Sequence, residues 1–124
     1  MNTWLAIFLG GGLGSMARYA MNKFTFLVLP INFPFGTLFS NLLSSLILGV
    51  FLGITAMKAE HENSLRFIIA IGFCGGFSTF SAFSAETFEF IRNGVWSYAF
   101  VNILVNIIGC LLMIGLGTWL ARLL

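Results

Sequence analysis

Apolar residues so dominate this chain that its few polar positions carry most of the information. Four long apolar runs, at residues 3–21, 35–57, 65–91 and 95–121, are separated by short polar or proline-bearing joints. Roughly 20 apolar residues suffice for a helix to cross a bilayer. The pattern therefore predicts an all-α integral membrane protein, with one transmembrane domain over residues 1–124 and four transmembrane helices. The joint at residues 22–34 reads as a loop, because Pro30 and Pro34 exclude a continuous helix. It remains apolar (Phe24, Phe26, Leu27, Val28, Leu29), which suits the membrane interface. The joint at residues 58–64 is short and charged, and Asn93-Gly94 forms the last turn.

Within the runs, polar residues recur at helical spacing. Thr37, Asn41 and Ser44 or Ser45 share one face of the second run, and Asn102 and Asn106 lie four apart on the fourth. Gly109, Cys110 and Met113 continue that side. The first run carries Gly10, Gly11, Gly12, Gly14 and Ser15, small residues that let two backbones approach closely in lipid. Arg18 and Lys23 stand at its far end. The third run is long for one straight crossing, and Gly75-Gly76 sits near its middle. A break is tolerated at that depth only where backbone faces protein or a cavity. A three-residue unit then repeats, Phe77-Ser78-Thr79, Phe80-Ser81-Ala82, Phe83-Ser84-Ala85, and Glu86 ends the series.

Composition sharpens the picture. The chain is 59% apolar and 8% charged, with a mean hydropathy of +1.00, which excludes a soluble domain of this size. A net charge of +2 without a Lys/Arg run gives no face for nucleic acid. Cys74 and Cys110 both lie in apolar runs and read as small buried residues; His61, between Glu60 and Glu62, reads as a solvated loop histidine. With no nucleophile–base pairing and no metal-ligand cluster in the pattern, an enzyme is not expected. The first run is read as a helix and not a cleaved signal peptide, because Met1-Asn2-Thr3 has no side-chain cation.

Charge also bears on topology. Four crossings put Lys58, Arg66 and Arg122 on one side and Arg18, Lys23 and Arg92 on the other, three cations each. Orientation follows a Lys/Arg bias, and here the bias is absent. Insertion both ways round is expected, and with it an antiparallel, dual-topology homodimer.

The chemistry available inside the bilayer is neutral. No Lys or Arg lies at mid-helix and no Asp ring is present, so neither a cationic nor an acidic filter is built in. Asn amides, Ser and Thr hydroxyls and the positive edges of Phe rings remain. Three-residue spacing brings Phe80 and Phe83 to nearly one face, with Ser81 and Ser84 alongside. Such a face fits the path of a small anion, and it also fits an aromatic packing ridge. Glu86 favours the path, because an ionisable residue near the membrane core is a functional candidate. Asn41 is open to two readings, an interhelical hydrogen bond or a donor to a passing anion. Arg18 likewise either snorkels as an anchor or holds an anion in a vestibule.

The stretch GFCGGFSTFSAFSAE, with GGGLGSMARY near the start and FPFGTLFSNLLSS leading into the second run, resembles the Fluc (CrcB) fluoride channels. The resemblance spans essentially the whole chain. It implies an antiparallel dual-topology homodimer with two pores, multi-pass in the bacterial plasma (inner) membrane. The activity it implies is passive, selective efflux of fluoride from the cytoplasm. On this likeness Phe80 and Phe83 match the paired pore phenylalanines and Asn41 the pore-lining amide. Ser81, Thr79 and Ser84 match hydroxyls beside the path, Glu86 a carboxylate that follows them, and Arg18 an arginine near the vestibule. The break at 75–78 looks like the one whose backbone carbonyls, here those of Gly75 and Ser78, hold a structural sodium ion at the dimer centre. Two positions depart from the pattern. Residue 82 is alanine where relatives carry threonine, and the fourth run has Asn106, Cys110 and Ile114 where relatives tend to carry hydroxyls. Asn106 nonetheless stays among the expected path residues. The runner-up, a small dual-topology multidrug or cation exporter, typically needs a carboxylate in its first helix, and this one has none.

Overall fold

In a computed structural model, which describes residues 2–29, 32–58 and 64–124, every regular element among the described residues is helical. Helix α1 spans Thr3–Val28 and α2 spans Phe35–Lys58. The third run is divided into a π-helical segment, Arg66–Phe73, then α3, Cys74–Phe77, then α4, Phe80–Arg92. Helix α5 spans Trp96–Ala121. His61, Glu60, Glu62 and Pro30 lie outside the described residues.

Helix α1 runs on to Val28, so the loop expected from residue 22 onward is helical through its first half. The reason is local. A proline restricts itself and the residue before it, which here means Leu29 and Pro30 and nothing earlier. Inside the helix, the Thr25 hydroxyl is absorbed by the carbonyls of Met21 (2.9 Å) and Asn22 (3.1 Å). At the other end Asn2 caps α1, its side chain accepting the Trp4 N–H at 3.0 Å. Between α4 and α5, Gly94 takes φ 75°. The Val95 N–H reaches Phe90 O and the Gly94 N–H reaches Ile91 O, a Schellman ending that turns the chain back sharply.

Close backbone approach organises the packing. A Cβ placed on Gly10 or Gly14 of α1 would collide with the backbone at Ile68 or Phe73, and one on Gly76 with the backbone of Gly11. The glycines of the first run thus hold α1 against the π-helical segment and α3. Gly49 and Gly117 play the same part on the seam between α2 and α5. Helix α5 packs on α2 and also on α4, whereas α3 packs on α1.

The third run breaks at Ser78 and Thr79, whose φ/ψ pairs are −78°/159° and −154°/117°. Of the stretch 75–78 expected to unwind, Gly75, Gly76 and Phe77 are helical and only Ser78 is not. Gly76 is needed for contact with α1, and the unwinding is carried by residues whose side chains replace the missing backbone bonds. The π-helical winding before it has no signature in the apolar pattern.

Among the described residues, three stretches are long and apolar enough to cross a membrane: Phe35–Ala56, Arg66–Arg92 and Trp96–Ala121. The chain is a multi-pass membrane protein.

Candidate functional site

The site is built around the break. In a continuous helix the Thr79 N–H would bond Gly75 O, and the Ala82 N–H would bond Ser78 O. Here the Thr79 N–H goes instead to Asn41 Oδ1 on α2, at 2.8 Å, and the Ala82 N–H to Thr79 Oγ1, at 3.2 Å. Thr79 is therefore the N-cap of α4, and Asn41 is the cap of the cap. Before the break, Cys74 O collects three donors: the Ser78 N–H (3.0 Å), the Ser78 hydroxyl (2.8 Å) and the Ser44 hydroxyl from α2 (2.9 Å). A helix can stop in a membrane only if its freed backbone groups find such partners. The carbonyls of Gly75 and Ser78 are left without their helical donors.

Asn41 also reaches α5. Its Nδ2 donates to Asn106 Oδ1 at 3.0 Å and lies 3.5 Å from Thr79 O. Asn106 Nδ2 donates to both Asn102 O and Asn102 Oδ1, each at 3.0 Å. Asn102, which is 0% exposed, donates to Thr87 Oγ1 at 3.0 Å, and Thr87 donates to Phe83 O at 2.8 Å. The interhelical reading of Asn41 is thus realised, and its amide stands at the wall of a cavity as well.

That cavity is a groove of about 260 Å³ lined by Asn41, Ser45, Ser78, Thr79, Phe80, Phe83, Asn106, Ile107 and Cys110. Five of the nine expected path residues meet here: Asn41, Thr79, Phe80, Phe83 and Asn106. The rings of Phe80 and Phe83 lie 5.6 Å apart, tilted by 52°. Phe83 is buried, whereas Phe80, between Thr79 and Ser81, is 79% exposed. Phe77, by contrast, is buried against Phe73 with centroids 5.4 Å apart and does not line the groove.

The other expected residues are not part of its lining. Ser81 is exposed on α4, its hydroxyl 3.2 Å from that of Thr79. Ser84 is half-buried and does not line the groove. Glu86 Oε1 accepts the Thr37 hydroxyl at 2.5 Å, and its Oε2 is buried with no partner among the described residues. Arg18 is half-buried on α1, away from the groove lining. Cys110, expected to be buried, is only half-buried and forms part of the wall. Thr87 and Ile107 are additions, and Ser45, one of two serines read on the polar face of the second run, is the one that lines the groove. Thr87 could have been marked by its position four after Phe83, but nothing along the chain couples it to Asn102.

Residues 5–118 match the family described as CrcB-like protein, Camphor Resistance (CrcB). Among curated proteins, the chain is 40% identical over 124 residues to the "Fluoride-specific ion channel FluC" of Pyrococcus abyssi (strain GE5 / Orsay), with 98% of each chain covered. It is 39% identical to the protein of that name from Citrifermentans bemidjiense, covering 98% of each. For the one from Phocaeicola vulgatus the identity is 36%, over 98% of this chain and 100% of that one.

Proposed function

The chain belongs to the CrcB family, and from that premise we propose that it is a fluoride-selective ion channel through which fluoride leaves the cytoplasm passively. The observation that carries this reading is the groove. It gathers the Asn41 amide, Ser and Thr side chains and two phenylalanine rings, and no formal charge, at the break of a membrane-spanning segment. Fluoride holds its hydration shell tightly, so a path must offer several short-range donors in succession. Asn41 Nδ2, the hydroxyls of Ser45 and Thr79, and the ring C–H groups of Phe80 and Phe83 are such a set, the Ser78 hydroxyl being spent on Cys74 O. A positive side chain would bind any anion; neutral, closely spaced donors favour the small one. The relatives are named for a channel and not for an exporter, and the exporter reading gains nothing from the groove.

The working unit is an antiparallel homodimer with four crossings per subunit, α1 included. Two observations support it. With four crossings, three side-chain cations would fall on each side, which removes the usual orientation signal. The break itself also presents Gly75, Phe80 and Ser81 outward, and irregular backbone at membrane depth does not face lipid. A second copy covers that face, and lipid surrounds the rest.

A structural sodium ion fits at the break. Its ligands would be the carbonyls of Gly75 and Ser78, whose helical donors have been drawn off by Asn41 and Thr79. Hard oxygen donors of this kind are what a small alkali cation takes. A bound cation there would supply fixed positive charge at the dimer centre. The remaining work of the site, donating to the anion and excluding larger ones, belongs to the chain's own side chains.

The test is ion efflux from liposomes containing this protein alone. Fluoride is expected to leave rapidly while chloride is retained. Equal loss of both anions, or of neither, would sink the proposal.

A further inference from the structure

The hydrogen bonds through the three asparagines run in one direction. Taken from the break, the Thr79 N–H donates to Asn41, Asn41 to Asn106, Asn106 to Asn102, Asn102 to Thr87, and Thr87 to the carbonyl of Phe83. Both ends are backbone groups, a donor that cannot accept and an acceptor that cannot donate. The amide of every asparagine between them is therefore locked in one of its two flip states. Both ends also lie at the start of α4, four residues apart, on the two sides of Phe80.

Consequences differ along the series. Asn106 spends both amide hydrogens on Asn102, at 3.0 Å each, and so can turn only its oxygen to Asn41. Asn41 must answer with one N–H. Its oxygen is already held by Thr79, so its second N–H, 3.5 Å from Thr79 O, is the loosely engaged donor at the groove wall. Were Asn41 flipped, its oxygen would face the groove and repel an anion.

We infer that Asn102, which does not line the groove, is a positioning residue for anion passage: through Asn106 it fixes the Asn41 amide with its N–H, and not its oxygen, toward the path. Thr87 performs the same service one step further back, by accepting from Asn102. This inference rests on the channel reading above. Two substitutions break the series without touching the groove lining, Asn102→Leu and Thr87→Val, the second nearly isosteric. A lost neutral hydrogen bond of this kind corresponds to about a fivefold to tenfold change.

The experiment pairs liposome fluoride efflux with NMR of asparagine-¹⁵N-labelled protein in detergent micelles, titrated with sodium fluoride. In the wild type, the side-chain NH₂ signals of Asn41 are expected to move with fluoride. In either variant that response should shrink at least about fivefold, and efflux should fall about fivefold to tenfold. If Asn102→Leu fails to fold, Thr87→Val alone decides. Unchanged efflux, or a fall in efflux with the Asn41 response intact, would overturn the positioning role. A wild type that conducts fluoride while Asn41 stays silent would overturn it too, leaving the channel reading in place. A wild type that conducts none removes the channel reading itself.

Discussion

Replacing Asn41 by leucine, similar in size but without hydrogen-bonding groups, should loosen the break and the path together. Two buried partners lose their match: the Thr79 N–H, bonded at 2.8 Å, and Asn106 Oδ1, bonded at 3.0 Å. Each orphaned group costs about 1–3 kcal/mol when buried. The sum overstates the effect, because the adjoining groove of about 260 Å³ has room for water to reach one of them. Interhelical hydrogen bonds in membranes also measure only about 1 kcal/mol on average, since the loosened state finds other partners. We expect a local destabilisation of about 2 kcal/mol, concentrated at Thr79. The assay is amide hydrogen exchange in micelles. A loss of about 2 kcal/mol corresponds to about 30-fold faster exchange at Thr79. Amides in the middle of α5 should change far less. Fluoride efflux should drop by at least about tenfold if the break and the path share this residue. Unaltered Thr79 exchange would refute the claim that Asn41 caps the break. Faster exchange with normal efflux would separate the cap from the path.

The remaining predictions concern the rings, the glycines and the orientation. Phe80→Ile, at a side chain 79% exposed on its own protomer, should leave the protomer's fold within about 0.5 kcal/mol yet slow fluoride. Phe83→Ile should slow fluoride as well, while costing about 1–2 kcal/mol of stability because its ring is buried. Normal efflux in both would demote the rings to packing. Gly76→Ala should destabilise by about 1–3 kcal/mol, since the added methyl meets the backbone of Gly11. Gly75→Ala meets nothing within the protomer, so a comparable loss at Gly75, read as dissociation to monomers, would mark the face covered by the second copy; unaltered dimers with normal efflux would count against that coverage. Finally, tags on the termini should be found on both sides of the membrane. A single orientation would refute the reasoning from balanced charge.

Much of the architecture was legible along the chain because a bilayer is a demanding solvent. It selects long apolar helices, confines charge to their ends and makes every polar residue at depth conspicuous. The runs at 35–57 and 95–121 fall within a residue or so of α2 and α5 for that reason. Phe80, Phe83, Asn41, Thr79 and Asn106 could be singled out the same way, and the groove gathers them. What the pattern could not carry was partnership. Helical spacing puts Asn41 and Thr37 on one face of α2. It does not reveal that Asn41 holds a backbone N–H at residue 79, or that Thr37 serves Glu86.

The position of the break shows the division most clearly. Two glycines in a long apolar run mark a weak point, and by themselves they place the interruption at 75–76. Tertiary contacts moved it to Ser78 and Thr79. The glycines were required for close approach to α1, and only the later residues could exchange helical bonds for others, with Asn41 and the Thr79 hydroxyl. Likewise α1 reached Val28 because proline bars only its own neighbourhood. From its own sequence the chain determined that it lives in a membrane, which residues are polar there, and which family it resembles. The tertiary structure alone decided how those polar groups are paired, because hydrogen bonds between helices depend on rotation and depth, and neither is written in spacing along one helix.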